Sequence, residues 1–390
     1  MEDVGVYLHV PFCERVCPYC DFAVVATPCL TGERETRYVD ALLEEFAARR
    51  AAFAGRRLAS VYLGGGTPSL LTPASVARLV ETIRSSFPAA VTEPEVTLEV
   101  NPGTLERERM GGFREAGVGR VSIGVQSFSD ATLKRLGRAH AAGEARASLA
   151  AARAAGFANL SLDLILAAPG QGPAEFVADL DEALAFAPEH LSTYELTIEP
   201  GTPFALADAR GQLRRASEDA VLEMLDACEA RLAAAGYRRY EISNYAKPGF
   251  EAVHNRRYWQ RRPVLGLGVG AFSTDPPSAD APHGVRRANS RDLADYARAA
   301  TRGAFDALAQ IEVLTPQIAR GEAVFLGLRA ADGVDAARFA AEFGDPPRGF
   351  WPDAIDALCR DDLLDENVDG DLQLTASGRR LADVVFEHFV

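Results

Sequence analysis

Two hydrophobic periods alternate over the first 245 residues, and that alternation restricts the fold more than any other feature of the 390-residue chain. Short runs rich in Val, Leu, Ile and Tyr occupy 4–10, 60–63, 95–100, 120–125, 160–166, 191–196 and 238–242. Between them lie segments 36–53, 73–87, 131–136 with 144–155, 173–185 and 217–235, rich in Ala, Leu, Glu and Arg with apolar residues every three or four positions. Strand-length runs and helix-spaced runs in succession make a βα repeat. Parallel strands need helical crossovers, so six or seven such units predict an α/β fold whose strands form a (β/α) barrel or part of one. An open doubly wound sheet is the other arrangement.

Beyond residue 245 the rhythm stops. Residues 246–310 are rich in Pro, Gly, Asn and Arg, including Asp275-Pro276-Pro277-Ser278 and Pro282-His283-Gly284, and read as a linker or cap. From Thr315 the pattern is helical again, then 363–365 and 371–375 flank an Asp369-Gly370 turn before a last helix from Ala376. Helices closing on a small hairpin suggest a winged-helix-like domain over 311–390. Lys and Arg number 41 against 55 Asp and Glu, a formal charge of −14. A grip on phosphates needs clustered cations; the patch Arg256, Arg257, Arg261 and Arg262 is too small to supply one, so no nucleic-acid partner is expected. The longest apolar stretch, 159–169, is far short of the ~20 residues that span a bilayer. Residues 1–10 lack a basic segment followed by an apolar one. The chain is therefore expected in the cytoplasm, without an integral membrane segment.

Polar or Gly-rich residues recur just after the predicted strands: Cys13, Cys17 and Cys20; Gly64-Gly65-Gly66-Thr67; Glu99 with Asn101; Gln126; Asp163; Asn244 with Tyr245. In a barrel these ends share one rim, where active sites lie. Singly, Gln126 or Asp163 reads equally well as a turn or structural residue. Cys13-x3-Cys17-x2-Cys20 is the sharpest signal. In a reducing compartment such a cluster reads as metal or redox chemistry, and three thiolates on one loop can hold an iron–sulfur cluster with one iron left for a ligand. A zinc site completed by Cys29 or His9 is the alternative. The Gly64–Gly66 turn lets backbone approach a ligand, although it lacks both the Lys of a P-loop and the G-x-G-x-x-G of a dinucleotide fold.

Taken together, the cysteine loop after the first strand and the glycine turn after the second resemble the radical S-adenosylmethionine (SAM) superfamily. More narrowly, Tyr7-Leu-His-Val-Pro-Phe-Cys13, Leu63-Gly-Gly-Gly-Thr-Pro-Ser69, Glu99-Val-Asn-Pro-Gly103, Ser122-Ile-Gly-Val-Gln-Ser-Phe128, Leu162-Asp-Leu-Ile165 and Thr197-Ile-Glu-Pro-Gly-Thr-Pro203 resemble the oxygen-independent coproporphyrinogen III oxidase family. The resemblance implies a partial barrel of the radical SAM type. It implies a [4Fe–4S] cluster on Cys13, Cys17 and Cys20, and SAM as the second cofactor. Tyr7 and Tyr19 match positions flanking that site. Gly65, Gly66 and Thr67 match backbone contacts to the methionine amino group, and Glu99, Gln126, Arg138 and Asp163 match polar contacts to the cofactor.

Two features separate subfamilies. Leu166-Ala-Ala-Pro169 stands where family members commonly carry Tyr-Gly-Leu-Pro, which alters the local pocket. Phe22 stands where the oxidases carry a fourth cysteine, and His254-Asn-Arg-Arg-Tyr-Trp259 resembles the His-Asn-x-x-Tyr-Trp signature of haem chaperones of the HemW type. That resemblance implies a protein that binds haem and passes it to an acceptor protein, with His254 as a candidate iron ligand, Arg256 and Arg257 near propionates, and Tyr258 and Trp259 against the porphyrin. A hydrogen-bonding role for His254 is the plainer reading. The oxidase, which decarboxylates coproporphyrinogen III by radical chemistry, is the alternative function.

Overall fold

The computed structural model describes residues 3–88 and 92–390. Six parallel strands, β1 (Asp3–Val10), β2 (Arg57–Gly65), β3 (Glu95–Val100), β4 (Arg120–Gln126), β5 (Asn159–Leu166) and β6 (His190–Glu195), lie side by side in chain order. Helices such as Gly32–Arg49, Pro73–Ser85, Ala142–Ala154 and Pro173–Ala185 return the chain between them. Their starts follow local chemistry: Thr31 and Thr72 accept a hydrogen bond from the backbone N–H three residues on, and Pro73 and Pro173 occupy first-turn positions where no N–H is needed.

Side chains alternate across each strand. In β1, Val4, Val6, Leu8 and Val10 are fully buried in the layer shared with the helices, which leaves Gly5, Tyr7 and His9 for the other face. β4 and β5 repeat the division, with Val121, Ile123, Val125, Leu160, Leu162 and Leu164 in that layer and Arg120, Ser122, Gly124, Ser161 and Asp163 opposite. The inner face is therefore polar, unlike the Val/Ile/Leu-filled interior of a packed barrel.

The region expected as linker or cap belongs instead to the sheet. Val264–Leu267 pairs parallel to β1 on the side opposite β2, and Phe272–Asp275, Val285–Ala288 and Gln310–Val313 follow as antiparallel neighbours. Beyond β6, Asn244–Ala246 and Arg238–Arg239 add a short antiparallel hairpin where one strand over 238–242 was expected. The result is a twelve-stranded sheet with β1 well inside it. A buried network ties the late strands to the first helix. Glu45 accepts hydrogen bonds from Arg49 Nη1 (2.9 Å), Gly268 N–H (2.8 Å), Asn289 Nδ2 (2.8 Å) and the Tyr296 hydroxyl (2.8 Å). A fully partnered buried carboxylate of this kind fixes one arrangement.

A second core, around Val324, Leu328, Phe339, Ile355, Leu358 and Val385, belongs to the C-terminal helices. They close on the expected hairpin, Leu364–Glu366 with Leu372–Leu374, whose turn has Gly370 at φ +85°. A bridge between Glu241 and Ala330 joins this unit to the barrel hairpin. No helix among the described residues is long and apolar enough to cross a membrane.

Candidate functional site

The cysteine loop leaves β1 and is tied at its base by a short parallel pairing of Phe12–Cys13 with Val25–Ala26. Within it, Cys20 N–H donates to the Cys17 carbonyl (3.1 Å), a turn that brings the last two thiols round. Cys13 is buried and Cys17 and Cys20 half-buried, whereas Cys29 is exposed and Cys228 and Cys359 lie in other elements. Burial pushes the Cys13 thiol up to about 11 and that of Cys20 up as well. Three thiols on one loop, free of disulfides, are a donor set that fits an iron–sulfur cluster. No group of three or more His, Cys, Asp or Glu among the described residues is gathered for a single metal ion.

The glycine turn presses directly on this loop. A Cβ on Gly66 would lie 2.8 Å from Cys13 Sγ and 2.8 Å from the Phe12 carbonyl oxygen. Gly65 has φ +111°, and its Cβ would lie 2.7 Å from the His9 ring. No side chain fits at either position. Thr67 is buried, donating to Cys13 Sγ (3.7 Å) and accepting from Asn101 Nδ2 (2.6 Å).

Asn101 continues the chain of contacts by accepting from Arg138 Nη2 (2.7 Å). The same guanidinium donates to the Gly124 carbonyl (3.2 Å), to Cys17 Sγ (3.5 Å) and to the Tyr19 hydroxyl (3.5 Å). Cys13, Thr67, Asn101, Arg138, Cys17 and Tyr19 thus form one connected set. Asn101 stood among the strand-end residues in the sequence but was not assigned to the cofactor site; its position two residues after Glu99 on the same strand end was the available signal.

Glu99 accepts from the Tyr62 hydroxyl (2.8 Å) and from Gly65 N–H (3.1 Å). Burial raises its carboxyl to about 7 against the pull of those two donors. Tyr7 stacks on Tyr62 with ring centroids 6.1 Å apart, and its hydroxyl meets His9 Nδ1 at 3.1 Å. Asp163 accepts from Ser122 Oγ (3.1 Å) and is likewise raised by burial. Gln126 ends β4 at φ +64°, where the register with β5 slips, a bulge that re-aims the side chain. A Cβ on Gly124 would lie 2.9 Å from Gln126 Nε2, so glycine there makes room for it. Asn244 and Tyr245 do not join the set: Asn244 Nδ2 donates to Glu241, and Tyr245 is buried in the main core.

His254 has the hydrogen-bonding setting that was the plainer of its two readings. It lies on the helix Val253–Trp259, 1% exposed, with Nδ1 on Ser60 Oγ (2.9 Å) and Nε2 on the Tyr258 hydroxyl (3.1 Å). Burial, with Arg257 beside it, lowers the imidazole to about 3. Both ring nitrogens are engaged, so in this structure His254 has a hydrogen-bonding role, a plug against the barrel strands. The flanking cations are also committed, Arg257 to Asp3 (3.0 Å) and Arg256 to Asp332 (3.0 Å). Trp259 lies under Arg329 and borders a cavity of about 330 Å³ lined by Arg261 and, from the C-terminal side, Phe339 and Phe343.

Comparison with known proteins fits this geometry. The radical SAM superfamily pattern matches residues 7–183, and the HemN C-terminal domain pattern matches residues 314–381. The haem chaperone HemW of Lactococcus lactis is 35% identical over 386 residues, 99% of this chain and 97% of that protein. The haem chaperone HemW of Bacillus subtilis is 33% identical over 386 residues, 99% of each chain. That of Escherichia coli is 41% identical over 272 residues, 70% of each. Among solved structures, coproporphyrinogen III oxidase (HemN) from Escherichia coli superposes with a TM-score of 0.83 at 24% identity, covering all of this chain and 90% of the other, and so shares its fold.

Proposed function

We infer, from the premise that this chain belongs to the haem chaperone HemW family within the radical SAM superfamily, that it binds haem in the cytoplasm and passes it to an acceptor protein. The observation that carries this reading is near-full-length similarity to relatives of that name. The absence of the oxidases' fourth cysteine agrees with it: Phe22 takes that place with 68% of its surface exposed.

Cys13, Cys17 and Cys20 would hold a [4Fe–4S] cluster, with SAM as an exchangeable ligand beside it, a pair that supplies one-electron cleavage of a sulfonium when bound. The chain's own residues then divide the work. Arg138 offers a forked cation to a carboxylate. Glu99 offers an acceptor to an ammonium group, and Asp163 to hydroxyls. Tyr7 and Tyr19 flank the site, Gln126 is aimed from its bulge, and the Gly65–Thr67 backbone closes one side, with no side chain at Gly65 or Gly66. His254 holds Ser60 and Tyr258 in place.

The test is anaerobic reconstitution of the cluster, then haem titration and a coproporphyrinogen III turnover assay on one sample. About one haem per chain and no protoporphyrinogen IX are expected. Multiple-turnover formation of protoporphyrinogen IX would replace the chaperone reading with the oxidase reading.

A further inference from the structure

Arg120 opens β4 with 2% of its surface exposed, yet among the described residues it lacks the partners that Arg49, Arg257 and Arg138 have. Arg49 is held by Glu45 and the Gly266 carbonyl, Arg257 by Asp3 and the Pro263 carbonyl, and Arg138 by Asn101 and the Gly124 carbonyl. The Arg120 Nε is buried with no hydrogen-bond partner, as are those of Arg138 and Arg257; what sets Arg120 apart is that no hydrogen bond or ion pair to a described residue holds its Nη atoms. Its neighbour in register on β3, Thr97, is fully buried and its Oγ1 is also unpartnered.

Strand alternation puts Arg120 on the polar inner face with Ser122 and Gly124. The groups within reach of its charge, Glu99, Asp163, Tyr62, His190 and Tyr240, come from β2, β3, β5, β6 and the hairpin beyond, which sets the guanidinium among the strands and not between sheet and helices. The internal carboxylates already have closer partners: Glu99 takes Tyr62 and Gly65, and Asp163 takes Ser122. A buried cation with carboxylates only at longer range and no hydrogen-bonded partner is costly, and leaves its donors free for an acceptor that arrives to meet them. The planar fork of a guanidinium matches a carboxylate, and a threonine hydroxyl beside it adds a further donor.

We propose that Arg120 and Thr97 form a carboxylate-binding subsite inside the barrel, separate from the residues assigned to the cluster and to SAM. Two sources have that chemistry: a propionate of a tetrapyrrole, which rests on the haem reading above, and a free short-chain carboxylate, which does not.

The test uses the full chain with its cluster reconstituted and three probes: iron protoporphyrin IX, its dimethyl ester, and sodium propionate. If a tetrapyrrole propionate is the occupant, the unaltered chain binds the free acid about tenfold or more tighter than the ester. Arg120→Met then removes that preference, Arg120→Lys keeps part of it, and Thr97→Val reduces it severalfold. If a free carboxylate is the occupant, acid and ester bind alike, while propionate raises the unfolding temperature of the unaltered chain and leaves that of Arg120→Met unmoved. Should the methionine variant not fold, the lysine and Thr97→Val variants carry both arms. A chain that binds no tetrapyrrole refutes the haem reading and leaves the propionate arm to decide. Equal binding of acid and ester with no effect of propionate, or a preference that survives in Arg120→Met, overturns the subsite.

Discussion

Replacing Glu99 with Gln should make the cofactor-free chain more stable at high pH, although it removes two hydrogen-bond acceptor positions in favour of one. The carboxyl is buried and ionises at about 7 in the folded chain against 4.5 in an unfolded one. Its folded value is raised, so folding takes up a proton between those two pH values, and stability falls as pH climbs through that window. The loss amounts to about 3 kcal/mol once pH exceeds 7. Gln has no such term. It gives up one of the acceptors for the Tyr62 hydroxyl and Gly65 N–H, about 1 kcal/mol at every pH. The two chains should therefore be about equal at pH 5, with Glu99→Gln about 2 kcal/mol more stable at pH 8. Urea unfolding followed by circular dichroism from pH 5 to 8 measures the difference. The corollary for binding is that SAM affinity of the unaltered chain rises with pH up to about 7 and then levels, since an ammonium group favours the ionised carboxylate. Parallel pH dependences for the two chains would refute the reasoning, because they would mean that Glu99 is already ionised well below neutrality.

Changing Cys13, Cys17 or Cys20 to Ala should abolish iron and sulfide incorporation on anaerobic reconstitution, whereas Cys29, Cys228 and Cys359 variants should retain both; equal loss in Cys29→Ala would return the zinc-like four-thiol alternative. Arg138→Ala should weaken SAM binding about tenfold to hundredfold by calorimetry, the value of a charge-assisted hydrogen bond, and unchanged affinity would confine Arg138 to holding Asn101 and the cysteine loop. His254→Ala should lower stability by about 2 to 4 kcal/mol in urea unfolding, since it strands Ser60 Oγ and the Tyr258 hydroxyl and leaves a cavity. A change below about 0.5 kcal/mol would contradict the plug role and favour a presented ligand.

The βα order and the strand-end residues could be read from the sequence because both are local. Period-2 and helix-spaced runs identify each unit by itself, and a barrel then brings Gly65, Glu99 and Asp163 to one rim whatever the helix details. Residues 264–313 were not legible in the same way. Their strands are only four residues long, and what draws them into the sheet is the pairing of Val264–Leu267 with β1, more than 250 positions away in the chain, on which Phe272–Asp275, Val285–Ala288 and Gln310–Val313 then build in turn. The surroundings of His254 were hidden for a related reason. Its motif names residue types suited to a porphyrin, but whether an imidazole is open or walled in depends on Ser60 and Tyr62, which no local pattern links to it. Asn101 was visible as a strand-end residue, and only the placement of Thr67 and Arg138 on either side gave it a part in the site.

The position of β1 inside the sheet has a consequence for biosynthesis. It leaves the ribosome before its partners, and one side can pair with β2 soon afterwards, but its other side waits for Val264–Leu267. At typical translation speeds that interval lasts roughly 10 to 50 s. Throughout it the nascent chain carries an unpaired edge of apolar strand, the feature most prone to joining a neighbouring chain. Cotranslational chaperones would therefore be expected to engage this protein early, and a chain released near residue 245 would be expected to aggregate even though every βα unit before that point is complete.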